Sequence, residues 1–148
     1  MYWLRTLLWI ALSVQAPLLL ADEGPSTRVN HVWIREAPPG VNVLAGYFTL
    51  ENLTAKALIL NEVSSPDFGK VEIHQSVQLN GVESMQQLDS LAIPAHGSVE
   101  FHPDGYHLML MQPRKKFFSG DSVSLILGFS DGSQLAILAP VRRDAPLH

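Results

Sequence analysis

The feature that most constrains this chain is a series of short runs rich in β-branched and aromatic residues, separated at regular intervals by turn-forming residues. The clearest turn is Asn80-Gly81, which lies between two alternating runs and is the residue pair that most favours a two-residue β-hairpin. After residue 21, no window has a helical period with a cap, and no long crossover helix is available to connect parallel strands. The sequence therefore predicts an all-β fold, either a sandwich or a barrel.

Nine of these runs are predicted strands, and no repeat, low-complexity block or internal linker separates them. Their expected bounds are Val29–Ile34, Val43–Glu51, Ala57–Val63, Val71–Leu79, Val82–Leu88, Ser98–His102, Tyr106–Met111, Ser122–Phe129 and Gln134–Val141. Short strands with turns between them at this spacing predict a single β-domain.

The first 21 residues have the character of a secretory signal peptide. Arg5 precedes an apolar run from Thr6 to Leu20, and acidic residues follow Ala21, where we predict cleavage. A membrane anchor is the weaker interpretation, because the run is near the short end for a span and Pro17 interrupts it. We therefore expect a signal peptide at 1–21, a lead-in at 22–28, the β-domain at 29–141 and a short tail at 142–148, with no stable membrane insertion after cleavage.

Charge and cysteine content exclude several functions. The net charge of −4 becomes one unit more negative without Arg5, and an acidic domain is a poor nucleic-acid binder. The chain has no cysteine, so it has neither a disulfide framework nor a thiolate for catalysis, redox chemistry or metal binding. The absence of cysteine after the apolar run also excludes lipid attachment at that position.

The Asn80-Gly81 hairpin places a histidine and a methionine on one face. If these two residues form the loop, Leu79 pairs with Val82 and Ser76 pairs with Met85, which leaves His74 one diagonal step from Met85. Met85 is then the one apolar side chain on a polar face, whereas methionine is usually core filler. The opposite face is predicted to be core and carries Val71, Ile73, Val77, Leu79, Val82 and Leu88.

The segment "GYHLMLM" repeats this arrangement. Alternation assigns Leu108 and Leu110 to the core and places His107, Met109 and Met111 on the other face. Cα atoms two residues apart on a strand are about 6.6 Å apart, so His107 and Met109 could bind one ion. Met111 is a possible secondary ligand. His102 could face His107 across the Pro-Asp-Gly turn, although we expect it to be a surface residue, and we expect Trp33 and Tyr47 to be core residues.

His74, Met85, His107 and Met109 could surround one site if the two hairpins meet. Two thioethers and two imidazoles select Cu(I), whereas Zn²⁺ prefers Cys, His and carboxylate, and Ca²⁺ and Mg²⁺ prefer oxygen. A blue-copper electron carrier is excluded because its site requires a cysteine.

The separations in His74-x10-Met85-x21-His107-x-Met109 resemble the copper motif of the periplasmic CuA chaperone family, PCuAC. The resemblance covers about residues 29–141 and includes "WIREAPPG" (33–40), "AGYFTLEN" (45–52), "VEIH" (71–74), "IPAHGSVEF" (93–101) and "GYHLMLM" (105–111). It implies a cupredoxin-like, Greek-key antiparallel β-sandwich, located in the periplasm, that binds one Cu(I) through His74, Met85, His107 and Met109 at a solvent-accessible site.

The resemblance also implies a function and partners. The copper would pass to the CuA site of cytochrome c oxidase, with an apo CuA domain or another periplasmic copper protein, such as a Sco-type protein, as the partner. Two departures are notable: Ser76 occupies a position where many members have methionine, and the tail has only His148, so a second, Cu(II) site is not expected. The alternatives are general periplasmic copper storage or homeostasis, and a non-metal sandwich that binds a protein partner. No catalytic signature is present, so we do not expect an enzyme.

Overall fold

A computed structural model of the chain describes residues 24–146, so the predicted signal peptide and the end of the predicted tail lie outside the described residues. Residues 24–146 form ten strands: β1 (Thr27–Arg35), β2 (Val43–Asn52), β3 (Leu58–Ser64), β4 (Phe68–Leu79), β5 (Val82–Leu88), β6 (Leu91–Ile93), β7 (Ser98–Phe101), β8 (Tyr106–Pro113), β9 (Ser122–Phe129) and β10 (Gln134–Arg142). In this range no helix is long and apolar enough to cross a membrane.

All nine predicted strands are present, and the tenth, β6, was missed. It has three residues, of which Leu91 and Ile93 are buried and Ala92 is exposed, and this is too short a run for alternation to be recognised. β4 begins at Phe68, three residues before its predicted start, because Phe68 already pairs with Pro113 of β8.

The strands form one continuous sheet in the order β5-β4-β8-β7-β2-β1-β10-β9-β3-β6, in which β8 also pairs directly with β2. Most neighbours are antiparallel, as predicted. Two pairs are parallel: β1 with β10 at Ile34↔Val141 and Arg35↔Arg142, and β7 with β8 at Phe101↔Tyr106. No crossover helix is needed between the parallel strands β1 and β10, because the eight strands that lie between them in the chain form the connection.

The core lies between the two halves of this folded sheet. It includes Leu108 and Leu110 of β8 and Ile73 of β4, as the alternation predicts, together with Leu125 and Leu127 of β9. The prediction was wrong for the tip of the β4–β5 hairpin. Leu79 is 63% exposed and Val82 is 66% exposed, because the hairpin extends beyond the residues that would cover it.

Candidate metal centre

Three adjacent strands, β5, β4 and β8, carry the predicted ligands on one face of the sheet. The Asn80-Gly81 hairpin has the predicted register, with Leu79 opposite Val82 and Ser76 opposite Met85. On the other side of β4, His74 lies directly opposite His107. Because residues directly opposite in an antiparallel pair share a face, this register brings the two hairpins together. Met109, two residues after His107, lies on the same face.

His107 is the most buried of the four, with 4% of its surface exposed. Its Nδ1–H donates to the carbonyl oxygen of Gly105 at 3.1 Å, an arrangement that leaves the lone pair on Nε2. Nε2 is buried and has no hydrogen-bond partner among residues 24–146. Burial lowers the pKa of His107, which favours the neutral ring that a metal requires.

His74 has the complementary arrangement. Its Nε2–H donates to the carboxylate of Glu72 at 2.8 Å, and its buried Nδ1 lacks a partner within the described part of the chain. Hydrogen bonds from Lys70 and from His74 lower the pKa of Glu72, so the carboxyl group is ionised and accepts from both. The centroids of the two imidazole rings are 5.9 Å apart. Each ring is therefore oriented through one nitrogen and has a lone pair on the other, as metal-binding histidines do.

The two thioethers have different environments. Met109 is half-buried beside His107, whereas Met85 is 60% exposed on the edge strand β5. In residues 24–146, no three His, Asp or Glu side chains gather into a metal-binding group, so an ion held by the two imidazoles would need ligands of another kind. The thioethers on the same face are of that kind, and they suit a soft ion such as Cu(I). The residues present therefore fit the metal that the sequence predicts.

The two possible secondary ligands are not joined to the four candidate ligands by any register pair or hydrogen bond among residues 24–146. Met111 pairs with Lys70 and Val43 and is four residues from His107, which corresponds to about 13 Å along a strand. His102 is exposed, and its ring lies against Gly105, where a side chain would collide with it. Within the described residues, no hydrogen bond or ring contact joins His102 to His107. For both residues, a role as ligand stays a prediction.

Comparison with known proteins identifies the family. Residues 27–141 match the family described as "Putative lipoprotein LpqE-like", which is the PCuAC family. The chain belongs to this family. A relative from Leifsonia xyli subsp. xyli (strain CTCB07), described as the putative lipoprotein Lxx21020, is 30% identical over 131 residues, which are 88% of this chain and 76% of the relative.

Solved PCuAC structures confirm the predicted cupredoxin-like β-sandwich fold. The solution structure of CuI-DR1885 from Deinococcus radiodurans has a TM-score of 0.67 at 27% identity and covers 84% of this chain and 83% of that one. The copper-bound PCuAC domain from PmoF2 also has a TM-score of 0.67, at 22% identity, over 81% of this chain and 95% of that domain. At that identity the PmoF2 comparison shows the shared fold alone.

Two aromatic residues of this PCuAC chain, Trp33 and Tyr47, are buried, which confirms the prediction that they are core residues. They lie outside the main hydrophobic cluster, on the face of the sheet that carries the candidate ligands (the ligand face), and their ring centroids are 4.8 Å apart. Gly46 of β2 pairs with Leu108 of β8. The same register continued by one residue places Tyr47 beside His107. The guanidinium of Arg35 lies 5.6 Å and 5.8 Å from the two ring centroids. These side chains close the ligand face on the β1 side, opposite the exposed Met85.

The sequence also gave no clear role to Glu72 of this PCuAC chain. The carboxylate lies between Lys70 and His74, and both bind it. The signal that could have identified it is the spacing, because residues 72 and 74 point to the same face of a strand. A carboxylate two residues from a candidate ligand is in position to orient it.

Proposed function

We propose that this protein is an extracytoplasmic copper chaperone that binds one Cu(I) through His74, Met85, His107 and Met109. The observation that carries the proposal is the pair of buried imidazole nitrogens without hydrogen-bond partners among residues 24–146, on the face that also carries the two thioethers. Two solved relatives, a copper-bound PmoF2 domain and CuI-DR1885, support copper as the cargo.

The different burial of the ligands favours a stepwise release of the ion. His107 and His74 are held in place by Gly105 and Glu72, so they provide the fixed part of the site. Met85 is exposed at the edge strand, where a ligand from an acceptor can replace it without movement of the core. Replacement of Met85 by an incoming ligand would begin the transfer, and exchange of the other three ligands for groups of the acceptor would complete it, without oxidation or reduction of Cu(I). No step of this function requires catalysis, and we propose a binding protein rather than an enzyme.

We further propose that the protein works in the periplasm and that its acceptor is the CuA site of cytochrome c oxidase. The family membership and the resemblance of the motif to that of the CuA chaperones support this assignment. General copper storage or homeostasis is the competing role. Metal transfer distinguishes the two: the loaded protein should convert an apo CuA domain to its copper form, as followed by NMR or optical absorption, whereas a storage protein should retain the metal.

Binding itself is tested by competition with a Cu(I)-specific chelator. One tight site is expected in the native chain, and His74→Ala or Met109→Ala should weaken it without loss of the fold. Retention of full affinity by both variants would remove these residues from the site. The absence of stoichiometric copper binding would instead favour the non-metal, partner-binding interpretation of the sandwich.

A further inference from the structure

The edge strand β5 lacks the features that usually protect a sheet edge. In the described residues it is the outermost strand, it pairs only with β4, and its first six residues are exposed. Natural edge strands are short, bulged, or contain Lys or Pro. β5 pairs with β4 over seven consecutive positions without a register shift, contains no Lys, Arg or Pro, and has Glu83 as its one charge. By contrast, β6, at the other end of the sheet, has three residues.

The hairpin register shows which backbone groups of β5 are available. In a two-residue hairpin, the residues that flank the loop form a hydrogen-bonded pair, and the hydrogen-bonded positions alternate from there. Val82, Ser84 and Gln86 therefore direct their N–H and C=O groups toward β4. Glu83, Met85 and Gln87 direct theirs away from the sheet, so another strand could pair with these three residues.

The sequence of β5 is complementary to itself. In the run Val-Glu-Ser-Met-Gln-Gln-Leu, Met85 is the central residue. An antiparallel copy centred on Met85 would place Val82 opposite Leu88 and Glu83 opposite Gln87. No like charges would lie opposite each other, and the outward-directed residues would form about six hydrogen bonds between the copies.

We propose that β5 pairs with β5 of a second copy of this chain, in antiparallel register about Met85. The interface is isologous, since the same strand serves both partners. Directly opposite residues share a face, so the ligand faces of the two copies become one continuous surface. The two Met85 side chains would be neighbours, with Cα atoms about 5.5 Å apart. The pairing itself requires no copper, so the proposed dimer and the proposed function can be tested separately.

The expected dimer is weak. One seven-residue edge buries less than the roughly 1,200 Å² that stable complexes bury, so the dimer should form at micromolar to millimolar concentration. Sedimentation equilibrium of the copper-free protein should show a monomer–dimer equilibrium in that range. A strictly monomeric protein at about 1 mM, which corresponds to an interaction weaker than about −4 kcal/mol, would overturn the proposal.

Cysteine cross-linking tests the register, and the native chain provides a background free of cysteine. Met85→Cys should form a disulfide-linked dimer under mild oxidation, because about 5.5 Å between Cα atoms is within disulfide range. Val82→Cys is the matched control, since Val82 is 66% exposed against 60% for Met85. In the proposed register its two copies are about 20 Å apart. Equal cross-linking of the two variants would contradict the register.

Charge substitutions provide a second test that needs no disulfide. Gln87→Lys places a cation opposite Glu83 of the second copy and should tighten the dimer by roughly two- to thirtyfold, whereas Gln87→Glu should weaken it by a similar factor. Ser84 is the control position, because it lies opposite the neutral Gln86 in this register. Ser84→Lys and Ser84→Glu should have the same effect as each other. If the dimer affinities of the Lys and Glu variants differ as much at position 84 as at position 87, β5 does not pair as proposed.

Discussion

His107 lies directly opposite His74 across the β8–β4 pair, and each imidazole has one buried nitrogen without a hydrogen-bond partner among residues 24–146. The remaining nitrogens are bound to Gly105 and Glu72 at 3.1 Å and 2.8 Å. A buried polar atom left unpaired costs about 1–3 kcal/mol. A bound ion would pair both nitrogens while the oriented rings keep their positions.

Glu72 is expected to control copper affinity through His74. Glu72→Ala removes the acceptor that orients the ring, and loss of such a partner lowers metal affinity by about 10- to 100-fold. Glu72→Gln should have a smaller effect, since the amide oxygen can still accept the imidazole proton. A competition titration with a Cu(I) chelator measures both variants. Glu100→Ala, at an exposed glutamate on β7, is the control, and an equal loss there would indicate a general charge effect instead.

Met85 is expected to affect copper affinity but not stability. The side chain is 60% exposed, so Met85→Leu should change the free energy of unfolding by no more than about 0.5 kcal/mol. The loss of a thioether ligand should weaken Cu(I) binding by roughly tenfold or more, at least as much as the loss of an orienting group. Urea unfolding and chelator competition measure the two quantities. Met111→Leu should leave affinity unchanged, and a comparable loss there would place Met111 in the site.

The register of the β4–β5 hairpin could be predicted from the sequence, because Asn80-Gly81 sets the turn and the turn sets every pair that follows. The pairing of β4 with β8 could not be predicted in this way. These strands are separated by β5, β6 and β7, and alternation within each strand does not specify its neighbour in the sheet. Geometry therefore left the four candidate ligands as two separate pairs, and the resemblance to a family joined them.

Alternation also cannot specify how far each face is covered. Leu79 and Val82 have the alternation of core residues but lie beyond the core, on a hairpin tip. Tyr47 is buried, as predicted, but the residues that cover it could not be predicted: Trp33 and Arg35 lie against it on the ligand face. Both cases have the same origin, since burial depends on neighbouring strands that the local sequence does not identify.

Asp131 is expected to contribute an acid-sensitive part of the stability. Its carboxylate accepts hydrogen bonds from the hydroxyl and the backbone N–H of Ser133 in the β9–β10 turn, and these bonds lower its pKa below the ordinary value of 3.8. A carboxyl with a lowered folded-state pKa stabilises the fold above its unfolded pKa, and this stabilisation is lost as the pH falls through the folded value. Thermal unfolding of the native chain and of Asp131→Asn, from about pH 5 downward, measures the contribution. The Asn variant cannot titrate and should lose less stability than the native chain over this range, and parallel curves would contradict the assignment.

Gly46 is expected to be essential for the packing of β8 behind the ligand face. A Cβ atom at this position would lie 3.3 Å from the Cβ of Leu108 and 3.1 Å from the Cδ1 of Ile34. The Ile34 methyl can move, but the position of the Leu108 Cβ is set by the β8 backbone next to His107. Gly46→Ala should therefore destabilise the fold by about 1–3 kcal/mol, as overpacked cores do. It should lower the urea midpoint with an unchanged slope, which would indicate a change in stability alone. Gly24→Ala is the control, because among the described residues other than its chain neighbours no atom lies within 4 Å of a Cβ there. Unchanged stability in Gly46→Ala would contradict the close approach of the two strands.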